Sequence, residues 1–265
     1  MNRKKFLKIS GLSLLTPFSG KVFSQESSQS ENEEREFYEI RKYEIQAGEK
    51  SQRFEDYLKK ILIPTYNEMG IRPIGAFRPF YGSNGQTVYL LIPYNDFEMF
   101  LNVRENGLIA NDKLVKETGY THSFNDPLFL GISNSLLKAF TGMPQLKTPE
   151  MTLNNKSRIF ELRIYQSPDK TACKKKIEMF NTGSEISIFK RTGMRPVFLG
   201  ETLVGENSPS LCYMLAFRNI VELDELWKRF WFDAEWEKLR NKPEYQNLIS
   251  NRSSIILRPK PYSQI

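Results

Sequence analysis

Chemistry that depends on thiols or imidazoles has little to work with in this chain of 265 residues. It holds two cysteines, Cys173 and Cys212, and one histidine, His122. They lie far apart without ligand spacing, which argues against a structural zinc site and leaves no metal to expect. There is no phosphate loop, no dinucleotide fingerprint and no nucleophile elbow, so the enzyme classes built on those turns find no footing. No cofactor is called for by any motif. The longest apolar run near the N-terminus, Ile9–Phe18, falls well short of the roughly 20 residues that span a bilayer.

Excess charge is also missing from most of the chain. The formal net charge is +7, but Arg3, Lys4, Lys5, Lys8 and Lys21 all fall in the first 24 positions, with no acid among them. The remainder is close to neutral and has no broad footprint for nucleic acid. The basic stretch, the short apolar run and Val22-Phe23-Ser24 have the layout of a secretory signal peptide over residues 1–24. Arg3-Lys4-Lys5-Phe6-Leu7-Lys8 also resembles a weakened twin-arginine export motif, so the expected location is periplasmic or secreted, by either route. Residues 25–36 are polar and charged and read as a flexible leader. Cys173 and Cys212 sit at apolar positions and read as buried thiols, although export would permit a disulfide.

What the sequence has is an echo. Glu-x-Arg-x-Tyr occurs at Glu39/Arg41/Tyr43 and again at Glu161/Arg163/Tyr165, each copy opening a half of the chain. Gly70-Ile71-Arg72-Pro73 returns as Gly193-Met194-Arg195-Pro196. The central strand Val88–Ile92 returns as Cys212–Ala216, the capping pair Asn95/Glu98 as Asn219/Glu222, and Ile132-Ser133-Asn134 as Ile249-Ser250-Asn251. Five landmarks in one order predict a duplicated βαββαβ unit of the ferredoxin-like kind. The expected boundaries are residues 37–141 for the first domain, 142–157 for a linker and 158–265 for the second.

Within each half the local signals agree. Phe54, Tyr57, Leu58, Ile61 and Leu62 have helical spacing, Pro64 kinks or ends that helix, and Gly70 stops it. Ser83-Asn84-Gly85 is a turn signal. Asn95 and Glu98 have capping-box spacing, and Ser167 before Pro168 reads as a further cap. All three tryptophans are in the second half, where Trp227 and Trp231 share a helix face and read as core.

These residues resemble the NIPSNAP family. The likeness rests on Phe-Tyr-Glu-Ile-Arg-Lys-Tyr at 37–43, on Gly-Ile/Met-Arg-Pro, on Phe232-Asp233-Ala234-Glu235-Trp236 and on the ending Leu257-Arg258-Pro259-x-x-Tyr262-Ser263. It covers nearly all of the chain after the leader, as two tandem copies. The resemblance implies an α+β fold, two ferredoxin-like domains packed sheet to sheet as a pseudo-dimeric α+β barrel. Relatives of that fold include cofactor-free monooxygenases and haem proteins of the chlorite-dismutase and dye-peroxidase type. The family has no agreed catalytic residues to carry over, and the first half lacks a tryptophan matching Trp236.

Alternation along a strand puts Glu39, Arg41 and Tyr43 on one face and Tyr38 and Ile40 on the other, and likewise in the second copy. The polar rows are expected to point into the barrel and the apolar faces to pack on helices. Each Glu–Arg pair could neutralise itself and fix register. Alternatively, Arg41, Arg163, Arg72 and Arg195 form an anion-binding patch, with Tyr43 and Tyr165 as hydrogen-bond donors and Glu39 and Glu161 beside them. Three functions stay open: an exported small-molecule or protein binding module, a cofactor-independent oxygenase acting on a hydrophobic or aromatic substrate, and a haem protein using His122. An intrachain pseudo-dimer is expected, and association into a homo-oligomer is open.

Overall fold

In the computed structural model of the chain, residues 35–82, 86–106, 127–150 and 157–265 are described. The signal-peptide reading, the Ser83-Asn84-Gly85 turn, His122 and the leader up to residue 34 lie outside them. The leader's last two residues are held, Arg35 Nη1 donating to Ala139 O at 3.2 Å and Glu36 Oε2 accepting from Leu146 N at 2.6 Å. The first repeat runs β1 (Phe37–Glu44), α1 (Glu49–Tyr57), α2 (Ile63–Glu68), β2 (Gly75–Pro79), β3 (Thr87–Tyr94), α3 (Phe97–Asn106) and β4 (Gly131–Ala139). The second runs β5 (Ile159–Gln166), α4 (Lys170–Phe180), α5 (Glu185–Arg191), β6 (Arg195–Val204), β7 (Ser210–Phe217), α6 (Ile220–Trp231), α7 (Ala234–Arg240) and β8 (Asn251–Pro259).

The eight strands close into one barrel, in the order β1-β3-β2-β8-β5-β7-β6-β4. Each repeat supplies a ferredoxin-like sheet, β4-β1-β3-β2 and β8-β5-β7-β6. The sheets join at both edges: β2 pairs with β8 through Phe77 opposite Pro259, and β4 with β6 through Ala139 opposite Gly200. Closure of this kind leaves no sheet edge open. The central strands β3 and β7 are buried along their whole length, as their apolar runs require.

Sequence turns into backbone in the same way in both halves. Gly70 and Gly193 take positive φ of 82° and 90°, and the next amide closes each helix, Ile71 N to Tyr66 O and Met194 N to Phe189 O. Pro64 does not end its helix. A π-helical turn, Leu58–Leu62, joins α1 to α2 just ahead of it and absorbs the missing amide donor. Two caps fall one or two residues later than the spacing suggested. Asp96, not Asn95, accepts from Met99 N at 2.7 Å, and Asp169, not Ser167, accepts from Ala172 N at 2.8 Å. A carboxylate reaches the third amide as well as a hydroxyl or amide does and suits the positive end of the helix dipole. Asn219 caps α6 as expected, accepting from Glu222 N at 2.9 Å.

Three cores result. One fills the barrel and two lie between the sheets and their helices. The barrel core mixes the repeats: Tyr38 packs on Phe198 at 5.1 Å between ring centroids, and Phe77 on Phe160 at 5.0 Å. Tyr38, Ile40, Phe160, Leu162 and Ile164 therefore face inward, and the polar rows face outward to the helices, the reverse of the expected arrangement. The inside of this barrel is filled by packed, mostly apolar side chains, where a carboxylate would be costly to bury. Under the helices it finds tyrosine and indole. Register differs from expectation at one landmark. Tyr43 stands opposite Ile132 and Tyr165 opposite Arg252, so Arg252, not Ile249, is the counterpart of Ile132. No helix among the described residues is long and apolar enough to cross a membrane.

Candidate functional site

In the first repeat the row on β1 is almost sealed from water. Glu39 is 1% exposed and Arg41 7%. Glu39 Oε2 accepts from Arg41 Nη2 and from Tyr94 OH, both at 2.7 Å, while Oε1 has no hydrogen bond and lies 3.9 Å from Arg104 Nη1. Burial works against the charge of Arg41, but the hydrogen bond to Glu39 and the neighbouring Tyr66 and Tyr43 more than offset it, and its pKa is raised. Its guanidinium lies 5.4 Å above the Tyr66 ring. Tyr43 packs between Phe54 and Phe129, and burial pushes its phenol up.

Two cavities open on this face, either side of Arg104 and Asn134, which line both. The first, about 460 Å³, is walled by Phe97, Phe100, Leu136, Leu203 and Val204, with Glu39 among its lining. The second, about 380 Å³, is lined by Arg41, Tyr43, Tyr57 and Tyr66. The Asn134 amide, oriented by its neighbours, accepts from Arg104 Nη1 at 3.2 Å. Leu203 and Val204 come from β6, so the second repeat completes a pocket based on the first.

The matching carboxylate of the second repeat is saturated. Glu161 Oε1 accepts from Arg163 Nη1 at 2.7 Å and Ser254 Oγ at 2.5 Å, and Oε2 accepts from Trp227 Nε1 at 2.6 Å. Arg163 lies 4.3 Å above the Trp227 ring. Tyr165 and Tyr213 share a hydrogen bond of 2.9 Å between their hydroxyls. Trp227 is core, as its spacing suggested, and it is also the donor that this carboxylate needs. Trp231, expected in the core with it, stacks on Trp227 but is 40% exposed.

The sequence reading missed a buried ion pair. Lys176 Nζ sits 2.6 Å from Glu185 Oε2, with both side chains almost wholly enclosed. Burial lowers the lysine pKa and raises that of the glutamate, each opposed by the other's charge. The signal was present in the repeat. Lys176 lies as far after Tyr165 as Phe54 lies after Tyr43, so a charge replaces a core phenylalanine.

The other predicted arginines do not join the rows. Arg72 is exposed ahead of β2. Arg195 donates to Gly193 O at 2.8 Å and is paired with Glu222, which also accepts from Arg218 N. Cys173 and Cys212 are free and buried. Among the described residues no group of three His, Cys, Asp or Glu side chains is placed to hold a metal.

A family model described as NIPSNAP matches residues 38–124 and 160–264. No curated protein matches the chain in sequence. Among solved structures, a candidate monooxygenase from Fusobacterium nucleatum is 12% identical, with a TM-score of 0.56 over 85% of this chain and 92% of its own. One from Lactobacillus acidophilus is 13% identical, with a TM-score of 0.54 over 85% and 94%. An uncharacterised NIPSNAP-like domain protein from Burkholderia xenovorans, 19% identical, covers 41% of this chain with 90% of its own at a TM-score of 0.37. At these identities the likeness is one of fold.

Proposed function

The chain belongs to the NIPSNAP family, and from that premise we propose that it binds a small, largely apolar molecule carrying one hydrogen-bond donor. The place is the cavity bounded by Phe97, Phe100, Leu136, Leu203 and Val204. The observation that carries the reading is Glu39 Oε1, a buried carboxylate oxygen without a hydrogen bond in the lining of an apolar pocket. Buried acceptors are ordinarily met, and a ligand hydroxyl would meet this one. Naphthol and its methyl ether separate the terms, since they share a ring and differ in the donor. Naphthol is expected to bind about tenfold more tightly, the worth of one charge-assisted hydrogen bond. Glu39→Gln should close that gap and Val204→Glu should remove both. Equal affinity for the two compounds in the unsubstituted chain refutes the assignment.

The same oxygen favours a second reading. A carboxylate beside an apolar cavity can take a proton from a phenol or quinol and leave an electron-rich anion for dioxygen, as a cofactor-independent oxygenase requires. The fold shared with candidate monooxygenases supports this only by analogy. Oxygen uptake with a panel of naphthohydroquinones tests it, and uptake unchanged in Glu39→Gln would remove Glu39 from the reaction. The basic and apolar character of residues 1–24 supports export, which fractionation of cells expressing the full chain would test.

A further inference from the structure

A third cavity, of about 430 Å³, lies over the second repeat, and the reading above makes no use of it. Its lining includes Lys176, Trp231, Trp236, Arg240, Tyr245 and Arg252. Three cations thus face three aromatic rings. Lys176 is already neutralised by Glu185 and lies 4.5 Å from the Phe180 ring and 5.7 Å from that of Trp236. Arg240 and Arg252 are different. Both are exposed; Arg252 lies 5.6 Å from the Tyr165 ring and adds to the positive charge felt by Glu185, while that carboxylate's ion pair is made with Lys176. The nearby Glu178 is taken by Lys175 at 2.7 Å and by the Tyr245 hydroxyl at 3.2 Å. Trp236 is only 6% exposed, and its indole N–H is buried without an acceptor. Buried donors are rarely left so, and each exception calls for a reason.

The repeat supplies an internal control. Where Tyr165 faces Arg252 across the sheet, Tyr43 faces Ile132, and the position of Lys176 belongs to Phe54 in the first half. The fold therefore accepts apolar residues at these two positions, and the charges of Lys176 and Arg252 are additions particular to this face.

We infer that this cavity binds a small organic anion, a carboxylate carried on a flat aromatic ring. The carboxylate meets the forks of Arg240 and Arg252 and the Trp236 N–H, and the ring lies against Trp231 and Tyr245. A bare inorganic anion would leave those rings unused.

All three tryptophans of the chain pack in one cluster beside the cavity, so intrinsic fluorescence reports its occupancy. The full chain is titrated with benzoate, benzyl alcohol and inorganic phosphate, by fluorescence and by calorimetry. Benzoate should saturate, and the other two should not at the same concentrations. Trp236→Phe keeps a ring and loses the N–H, and should weaken benzoate about tenfold. Arg240→Gln with Arg252→Gln should abolish binding, and both sites are exposed enough to leave the fold intact. No saturation with benzoate overturns the inference, as does binding that survives the double arginine substitution. Equal binding of benzyl alcohol removes the carboxylate from it. Saturation by phosphate that responds to the same substitutions overturns the aromatic part.

Discussion

Trp227 Nε1 donates to Glu161 Oε2 at 2.6 Å, and with that bond both oxygens of the buried carboxylate on β5 are met. Tyr94 OH serves Glu39 in the first repeat from a different element, a strand instead of a helix. Trp227→Phe keeps much of the ring packing and removes the donor. It should lower stability by about 1–3 kcal/mol, the cost of an unmet buried acceptor, read from urea denaturation. Tyr94→Phe should cost a similar amount.

Lys176 and Glu185 give the largest single-site effects expected in the helix layer. Lys176→Met strands a buried carboxylate and should cost about 3–5 kcal/mol. Glu185→Leu strands the lysine in turn, and the double substitution Lys176→Met/Glu185→Leu leaves an apolar pair and should recover most of the loss. A double-mutant cycle measures the coupling. Strict additivity of the two single losses would contradict the pairing.

Alkaline pH should weaken the fold through its buried phenols. Burial raises the pKa of Tyr38, Tyr94 and Tyr213. In the unfolded chain these groups ionise near about 10. The folded state then holds protons that the unfolded state has released, so their contribution is fully present below about pH 10 and is lost as pH rises. The urea midpoint should fall above that point, and phenolate absorbance from these residues should appear only with unfolding.

Cys173 and Cys212 are free and enclosed, and burial raises both thiol pKa values. An alkylating reagent at neutral pH should leave the native chain unmodified and label both thiols in urea, as mass spectrometry would show. Fast native labelling would mean that the barrel core or the α4 layer opens readily.

The β4–β6 seam is close-packed at Gly200. A Cβ there would stand 3.0 Å from Leu137 Cβ and 3.3 Å from Lys138 O. Gly200→Val should cost about 1–3 kcal/mol, measured as a loss in thermal or urea stability.

Much of this was legible in the chain. The doubled Glu-x-Arg-x-Tyr, the two Gly-x-Arg-Pro stops and the two apolar central strands gave the repeat, and alternation on β1 correctly separated the row from its opposite face. Which face turns inward was not legible. Alternation fixes two sides but does not label them, and the answer depended on donors from Tyr94 and Trp227, far away in sequence. Composition also misled at Ile249-Ser250-Asn251, which copies the wording of Ile132-Ser133-Asn134 without its register. Lys176 was passed over because periodicity counts only apolar residues, and the helix face it completes includes one charge.

Barrel closure within a single polypeptide also bears on how such a molecule changes. In a symmetric pair of identical chains every substitution is made twice, so a residue suited to one surface is imposed on its mate. Here Phe54 and Lys176, or Ile132 and Arg252, vary independently while β2–β8 and β4–β6 hold the ring together. One side is free to specialise while the other conserves the scaffold.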